Sequence, residues 1–141
     1  MSKIIIHGGF FSESSTNIET KIAKQQALLR IVKDSYAYLQ NHSALETVVY
    51  AVSQLEDDEL FNAGIGSQIQ SDGKIRMSAS LMDGESQKMS GVINIEEVKN
   101  PIQVAQVLMQ VDDRILGGSG ATNFARKHGF ESFSTEIPQR R

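Results

Sequence analysis

The chain has no cysteine, which excludes disulfides and thiolate metal sites. It has no excess of basic residues: the net charge is −3, and no Lys/Arg stripe offers a footprint for nucleic acid. No apolar run approaches the roughly 20 residues that span a bilayer. The stretch before the first apolar residues, Met1-Ser2-Lys3, is too short for a signal peptide. These absences predict a cytoplasmic protein with neither a membrane nor a nucleic acid as partner. What is present is ordinary for a folded domain: 141 residues, 40% hydrophobic and 22% charged, enough for one core and expected to form a single domain over 1–141.

Ile4-Ile5-Ile6, closed by His7-Gly8-Gly9, predicts a short buried strand. Thr16-Asn17-Ile18-Glu19 has the form of a capping box, in which a hydroxyl and a carboxylate satisfy free amides at a helix start. Ile22, Leu28, Leu29, Val32, Tyr36 and Leu39 follow it at helical spacing. A second box, Ser43-Ala44-Leu45-Glu46, opens a helix with Leu45, Val48, Val49, Val52 and Leu55 as its apolar face, and the two helices are expected to pair antiparallel. Turns at Ser71-Asp72-Gly73 and Asp83-Gly84 then separate short alternating segments, and Met89 to Ile95 reads as a strand. Asn100-Pro101 starts a third helix, Ile115-Leu116 suggests a further short strand, and a last helix runs from about Ala121 to near Gly129. Residues 131–141 are polar and patternless, as in a loose tail. Helices and antiparallel strands are grouped, which predicts an α+β fold, although the strands are few for two helical layers.

Catalytic signals are sparse. Gly117-Gly118-Ser119-Gly120-Ala121-Thr122 opens a helix, where anions bind, but it lacks the lysine of a P-loop and reads better as an ordinary flexible turn. His42 and His128 fall at helix ends, where a structural role suffices, whereas His7 lies between an apolar segment and two glycines, where backbone can approach a ligand closely. No serine or threonine sits in a nucleophile elbow or beside a base. The stretch Gln54-Leu55-Glu56-Asp57-Asp58-Glu59 is the exception, because acids at a helix C-terminus oppose the helix dipole. Either it is a solvated acidic end with a glycine cap, or the loop's carbonyls turn inward around a cation. Asn62, between Phe61 and Ala63, offers an amide that can both donate and accept.

At these residues the sequence resembles the α subunit of the plant-type asparaginase and isoaspartyl peptidase family, which are N-terminal-nucleophile hydrolases. The matching segments run in order: Ile6-His7-Gly8-Gly9; Leu55-Glu56-Asp57-Asp58 with Phe61-Asn62-Ala63-Gly64-Ile65-Gly66; Met77 with Ala79-Ser80-Leu81-Met82-Asp83-Gly84; Asn100-Pro101-Ile102; and Gly120-Ala121 with Phe124-Ala125. The resemblance implies an αββα sandwich of which this chain supplies one half, the β chain of the same self-cleaving precursor supplying the rest in an (αβ)2 assembly. It implies hydrolysis of isoaspartyl dipeptides and L-asparagine by the N-terminal threonine of that β chain, without an organic cofactor. It places Asn62 beside the nucleophile and His7, Gly8 and Gly9 in a loop that packs near it. It assigns the backbone carbonyls of Leu55, Glu56, Asp58, Phe61, Ala63 and Ile65 to a structural sodium ion. A glycosylasparaginase, and a catalytically inactive homologue serving as a binding module, are the alternatives. Two departures bear on substrate preference, Phe10-Phe11 where small residues are usual and Ser78 where an aspartate is usual, and Glu59 stands where proline is frequent.

Overall fold

The structure is a computed structural model that describes residues 2–9, 18–111 and 114–134. Two helices come first, α1 (Ile18–Tyr38) and α2 (Ala44–Glu56). They run antiparallel: Tyr38 stacks on Tyr50 with ring centroids 4.3 Å apart, while Arg30, further back along α1, reaches Asp58 beyond the end of α2. The expected capping box of α2 forms in full. The Ser43 hydroxyl accepts from Glu46 N, and the Glu46 carboxylate accepts from Ser43 N at 2.9 Å. Thr16 and Asn17 of the other expected box lie outside the described residues.

The buried stripe of α1 differs from expectation. Ala27, Ile31 and Ser35 are buried, whereas Ile22, Leu29 and Tyr36 are close to half exposed. Stripes built on Ile22 and on Ala27 are both helical in period, and the contact with α2 and Phe61 selects the one with small residues, which lets backbones approach.

After a 3-10 turn at Gly64–Gly66 come β1 (Met77–Asp83), β2 (Lys88–Ile95), α3 (Pro101–Leu108), β3 (Ile115–Gly117) and α4 (Gly118–Lys127). β1 and β2 form an antiparallel hairpin whose turn begins at Asp83, its carboxylate accepting from Glu85 N and Ser86 N. β3 pairs with β2 in parallel, so the sheet is mixed rather than wholly antiparallel, with α3 as the crossover that a parallel pair requires. The bonding of Ile4-Ile5-Ile6 departs from expectation more sharply. They form no strand, and Ile5 is 95% exposed, because a strand exists only where a neighbour satisfies its N–H and C=O groups and the three described strands leave it none. The turn at Ser71-Asp72-Gly73 is present, with Gln70 N and Lys74 O 2.8 Å apart, but its flanks also lack the partners that would make them strands.

The inner face of the sheet carries the core. Val92, Ile95 and Met77 pack with Val104 and Leu108 of α3 and with Ala121 and Ala125 of α4. Leu81 extends it to Ile102, Ala105 and Met109 and on to Val49 of α2. The outer face is different: Met82, Met89, Ile93 and Ile115 are all exposed. The architecture is α+β, with α3 and α4 covering one face of a small sheet and α1–α2 alongside. Of the tail, residues 131–134 are tied down, with Phe133 N bonded to Glu97 O and Glu131 O accepting from Arg126; residues 135–141 lie outside the described set. Among the described residues no helix is long and apolar enough to cross a membrane.

Candidate functional site

Two segments far apart in sequence meet at the ring of Phe61. Gly8 lies against it so closely that an added Cβ would stand 2.8 Å from Phe61 Cε1 and 3.0 Å from a Leu28 methyl. His7 turns back on the same loop and accepts from Gly9 N at 3.2 Å through Nδ1. A cavity of about 400 Å³ opens there, bounded by His7, Gly8, Gly9, Lys24 and Phe61. On the other side of Phe61 and Lys24 lies a second cavity, of about 620 Å³, with Asn62 and Gln68 in its wall. Phe61, almost fully buried, is thus the partition between the His7–Gly9 loop and Asn62.

Asn62 itself is exposed, and its orientation is set by one bond, Gln68 N donating to Asn62 Oδ1 at 3.0 Å. With Oδ1 engaged, the Asn62 Nδ2 group is left to donate, the role an amide plays toward a developing negative charge.

The loop that carries Asn62 is closed by backbone contacts. Gly64 has φ +51°, and a Cβ there would lie 2.0 Å from the Glu56 carbonyl oxygen. A Cβ on Gly66 would lie 1.8 Å from the Phe61 carbonyl oxygen and 3.1 Å from that of Glu59. Phe61 N bonds to Asp58 O, and Gly66 N to Ala63 O. Carbonyl oxygens therefore crowd into the space that two missing side chains leave. Backbone carbonyls are neutral, hard oxygens, a donor type that fits an alkali cation better than a transition metal. Among the described residues no group of three or more His, Asp or Glu side chains converges to hold a metal.

Asp57 and Glu59 are exposed, as at a solvated helix end, but Glu56 is not. Glu56 is 3% exposed, and its Oε1 accepts from Ile102 N at 3.1 Å, placing a carboxylate at the N-terminus of α3, where the dipole favours it. Asp57 accepts from the Asn100 amide and pairs with Lys99, both at 3.0 Å. Asp58 accepts from Leu60 N and pairs with Arg30. The charges that oppose their own helix dipole thus serve two other segments, the start of α3 and α1. Burial pushes the Glu56 carboxyl up to about 7, against the pull of the Ile102 amide and the Asn100 side chain. Its Oε2 is buried without a hydrogen bond.

Sequence reasoning singled out the carbonyls here and overlooked this side chain. The signal was present: Leu45, Val49, Val52 and Glu56 are spaced i, i+4, i+7, i+11, so Glu56 continues the buried stripe of α2. Gln68 carried no comparable signal, because its backbone rather than its side chain does the work.

The other candidates fall elsewhere. His42 and His128 hydrogen-bond the carbonyls of Tyr38 and Phe124 at 2.9 Å and stack on those residues' rings, as expected for helix-end histidines. Gly117 to Thr122 enters α4, where the Thr122 hydroxyl accepts from Glu96 N and joins helix to sheet. Ser78, at a position where the resemblance leads one to expect aspartate, accepts from Asn94 N at the bulge between β1 and β2. Phe10 and Phe11 lie outside the described residues.

Fold and loop together define an α+β domain that presents the Asn62 amide on a glycine-seated loop. Its affiliation follows from comparison. The asparaginase family profile matches residues 1–140, and the chain belongs to that family. It is 49% identical over 127 residues to an isoaspartyl peptidase/L-asparaginase of Synechocystis, covering 89% of this chain and 38% of that protein. It is 39% identical over 142 residues to a plant-type L-asparaginase of Thermococcus kodakarensis, covering 99% and 45%. With a probable isoaspartyl peptidase/L-asparaginase of Arabidopsis thaliana the figures are 36% over 135 residues, 94% and 42%. The chain therefore spans less than half the length of these relatives.

Proposed function

We propose that this chain is the α half of an amidohydrolase that releases L-aspartate from isoaspartyl dipeptides and L-asparagine. The observation that carries the reading is the family match along residues 1–140, within which Asn62 and the His7–Gly9 loop converge on Phe61. The nucleophile in this proposal is the N-terminal threonine of a β chain cut from the same precursor. Its hydroxyl oxygen bonds to the side-chain carbonyl carbon of the substrate while its own α-amino group takes the hydroxyl proton. The C–N bond then breaks, ammonia or an amino acid leaves with that proton, and water hydrolyses the acyl-enzyme. Asn62 acts at this stage by donating from Nδ2 toward the reacting group, and Gly8 lets the His7–Gly9 loop lie flat against the same partition.

The proposal includes a sodium ion held by the carbonyls of Leu55, Glu56, Asp58, Phe61, Ala63 and Ile65, whose contribution is to stiffen the loop, not to take part in bond making. It also includes an (αβ)2 assembly in the cytoplasm in which the β chain covers the exposed outer face formed by Met82, Met89, Ile93 and Ile115. An uncovered apolar face of this kind supports a partner.

The test is expression of the complete precursor, N-terminal sequencing of any second chain, and assay of free aspartate from β-Asp-Leu. Aspartate release is expected, and Asn62→Ala lowers it tenfold or more, over about 1.4 kcal/mol in the barrier, while the complex still assembles. A threonine-exposed enzyme that releases no aspartate overturns the proposal, and a non-threonine first residue would indicate an inactive homologue instead.

A further inference from the structure

We propose that Glu56 is a positioning residue for Asn62, its side chain locking the loop of Asn62 to the N-terminus of α3. The proposal rests on the reading of Asn62 given above and extends it to a residue that touches no substrate.

Glu56 is the point where three elements are joined. It is the last residue of α2. Its carbonyl oxygen is the seat of Gly64, with no space between them for even one methyl group. Its carboxylate reaches across the fold to Ile102 N in the first turn of α3. Between those anchors run Phe61, Asn62 and Ala63, and the wall of a third cavity, of about 400 Å³, is shared by Glu56, Asn62, Gly64, Ser78 and Pro101.

The geometry makes the loop's freedom depend on the carboxylate. The Asn62 amide is set by a single bond to Gln68 N, so a small rotation of the loop breaks its alignment. Gly64 seats the loop on α2 through the Glu56 carbonyl, Gly66 folds it onto its own Phe61 carbonyl, and α2 is held to α3 by Val49 on Ile102 and Ala105 and by Asp57 on Asn100 and Lys99. The bond from Glu56 to Ile102 is the tie nearest the seat of Gly64, and it leads to the sheet because α3 is packed on β1 and β2 through Val104, Leu108 and Ile102. A buried carboxylate with one unpartnered oxygen is a costly way to hold a helix, and a leucine would pack there at less expense. The carboxylate's use is the directional bond.

The substitution separates this role from ion binding, since Glu56→Ala removes the carboxylate and leaves the carbonyl. The experiment uses the complete enzyme and three variants: Glu56→Ala, Glu56→Gln, which keeps an acceptor for Ile102 N, and Val92→Ala, a core truncation remote from the loop. Two quantities are read: hydrogen exchange in peptides spanning residues 62–70, which contain the Gln68 amide, and kcat and KM for β-Asp-Leu. In Glu56→Ala, exchange is expected to rise tenfold or more and kcat to fall about tenfold, with KM within about twofold. Glu56→Gln is expected to restore both to within about threefold. Val92→Ala is expected to change neither by more than about twofold, although it lowers the melting temperature. If Glu56→Ala does not fold, Glu56→Asp, one methylene too short to reach Ile102, takes its place. Wild-type exchange or wild-type kcat in the Ala or Asp variant overturns the inference, as does a Val92→Ala enzyme that reproduces both changes. An inactive wild-type enzyme sinks the proposed function, and the exchange data then decide alone whether Glu56 holds the loop.

Discussion

Alanine at Gly66 is expected to be far more damaging than alanine at Gly73, and the reason lies in what a methyl group would meet. Gly73 has φ +81° with nothing within 4 Å of its missing Cβ, so alanine there bears only the left-handed backbone penalty, about 1 kcal/mol. Gly66 is the reverse case. Its φ lies outside the left-handed range, but its Cβ would stand 1.8 Å from the Phe61 carbonyl oxygen. Non-bonded heavy atoms rest near about 3.5 Å, so the backbone must open by well over an ångström. No rotamer change relieves a clash with a carbonyl, which puts the cost at the upper end of overpacking penalties, about 3 kcal/mol. Gly64 combines both faults, φ +51° and a Cβ 2.0 Å from Glu56 O, and alanine there should cost about 4 kcal/mol. At roughly 3 °C per kcal/mol, thermal unfolding of the complete protein should show losses near 3, 9 and 12 °C for Gly73→Ala, Gly66→Ala and Gly64→Ala. The order carries the argument more than the values. A Gly66→Ala protein that melts no lower than Gly73→Ala would refute the claim that this loop is seated on backbone carbonyls.

Glu56 makes a pH prediction of definite sign. Its folded carboxyl, raised from 4.5 to about 7, binds its proton more tightly than the unfolded chain does. Stability from this group is therefore full below about pH 4.5, falls as pH rises toward 7 and then levels, by at most about 3 kcal/mol. Glu56→Gln should remove that slope, as read from denaturant midpoints at pH 5 and pH 8; an identical slope in the variant assigns it to other groups. Ser43→Ala breaks the capping box of α2 and should cost about 1 kcal/mol, with Glu46→Ala adding little on top because the two share one motif; simple additivity would mean that the box is not coupled. Exchanging sodium for a bulky organic cation should lower the melting temperature of the complete enzyme, and an unchanged transition would remove the ion from the loop.

Much of this could be read from residues alone wherever the signal was local. Ser43 and Glu46 are three apart and satisfy each other's backbone, and Asn100-Pro101 marks a helix start whatever surrounds it. Asp83 makes its turn with amides two and three residues on. Signals failed where the answer depended on a distant partner. Ile4-Ile5-Ile6 has the composition of a strand, but pairing decides, and none of the three described strands lies beside it. Helical period could not choose between the Ile22 and Ala27 stripes of α1, because both repeat correctly and only the neighbour selects one. The Asn62 loop was legible through its glycines and its likeness to a family, yet the destination of the Glu56 carboxylate, 46 residues away, was not. Acidity suggested solvent, and the α2 stripe that pointed inward had to be weighed against it.

That separation along the chain has a consequence in time. A ribosome adds about 5–20 residues per second, so the 46 residues between Glu56 and Ile102 take several seconds to emerge. All residues of the α1–α2 pair have been made before then. The loop of Asn62, by contrast, stays tethered at one end until α3 emerges and presents its first turn. During that interval Glu56 has no Ile102 amide to bond, so its burial against α3 can come only after residues 57–102 have been made. The tie between the candidate active-site loop and α3 thus cannot form until more than two-thirds of this chain has been made.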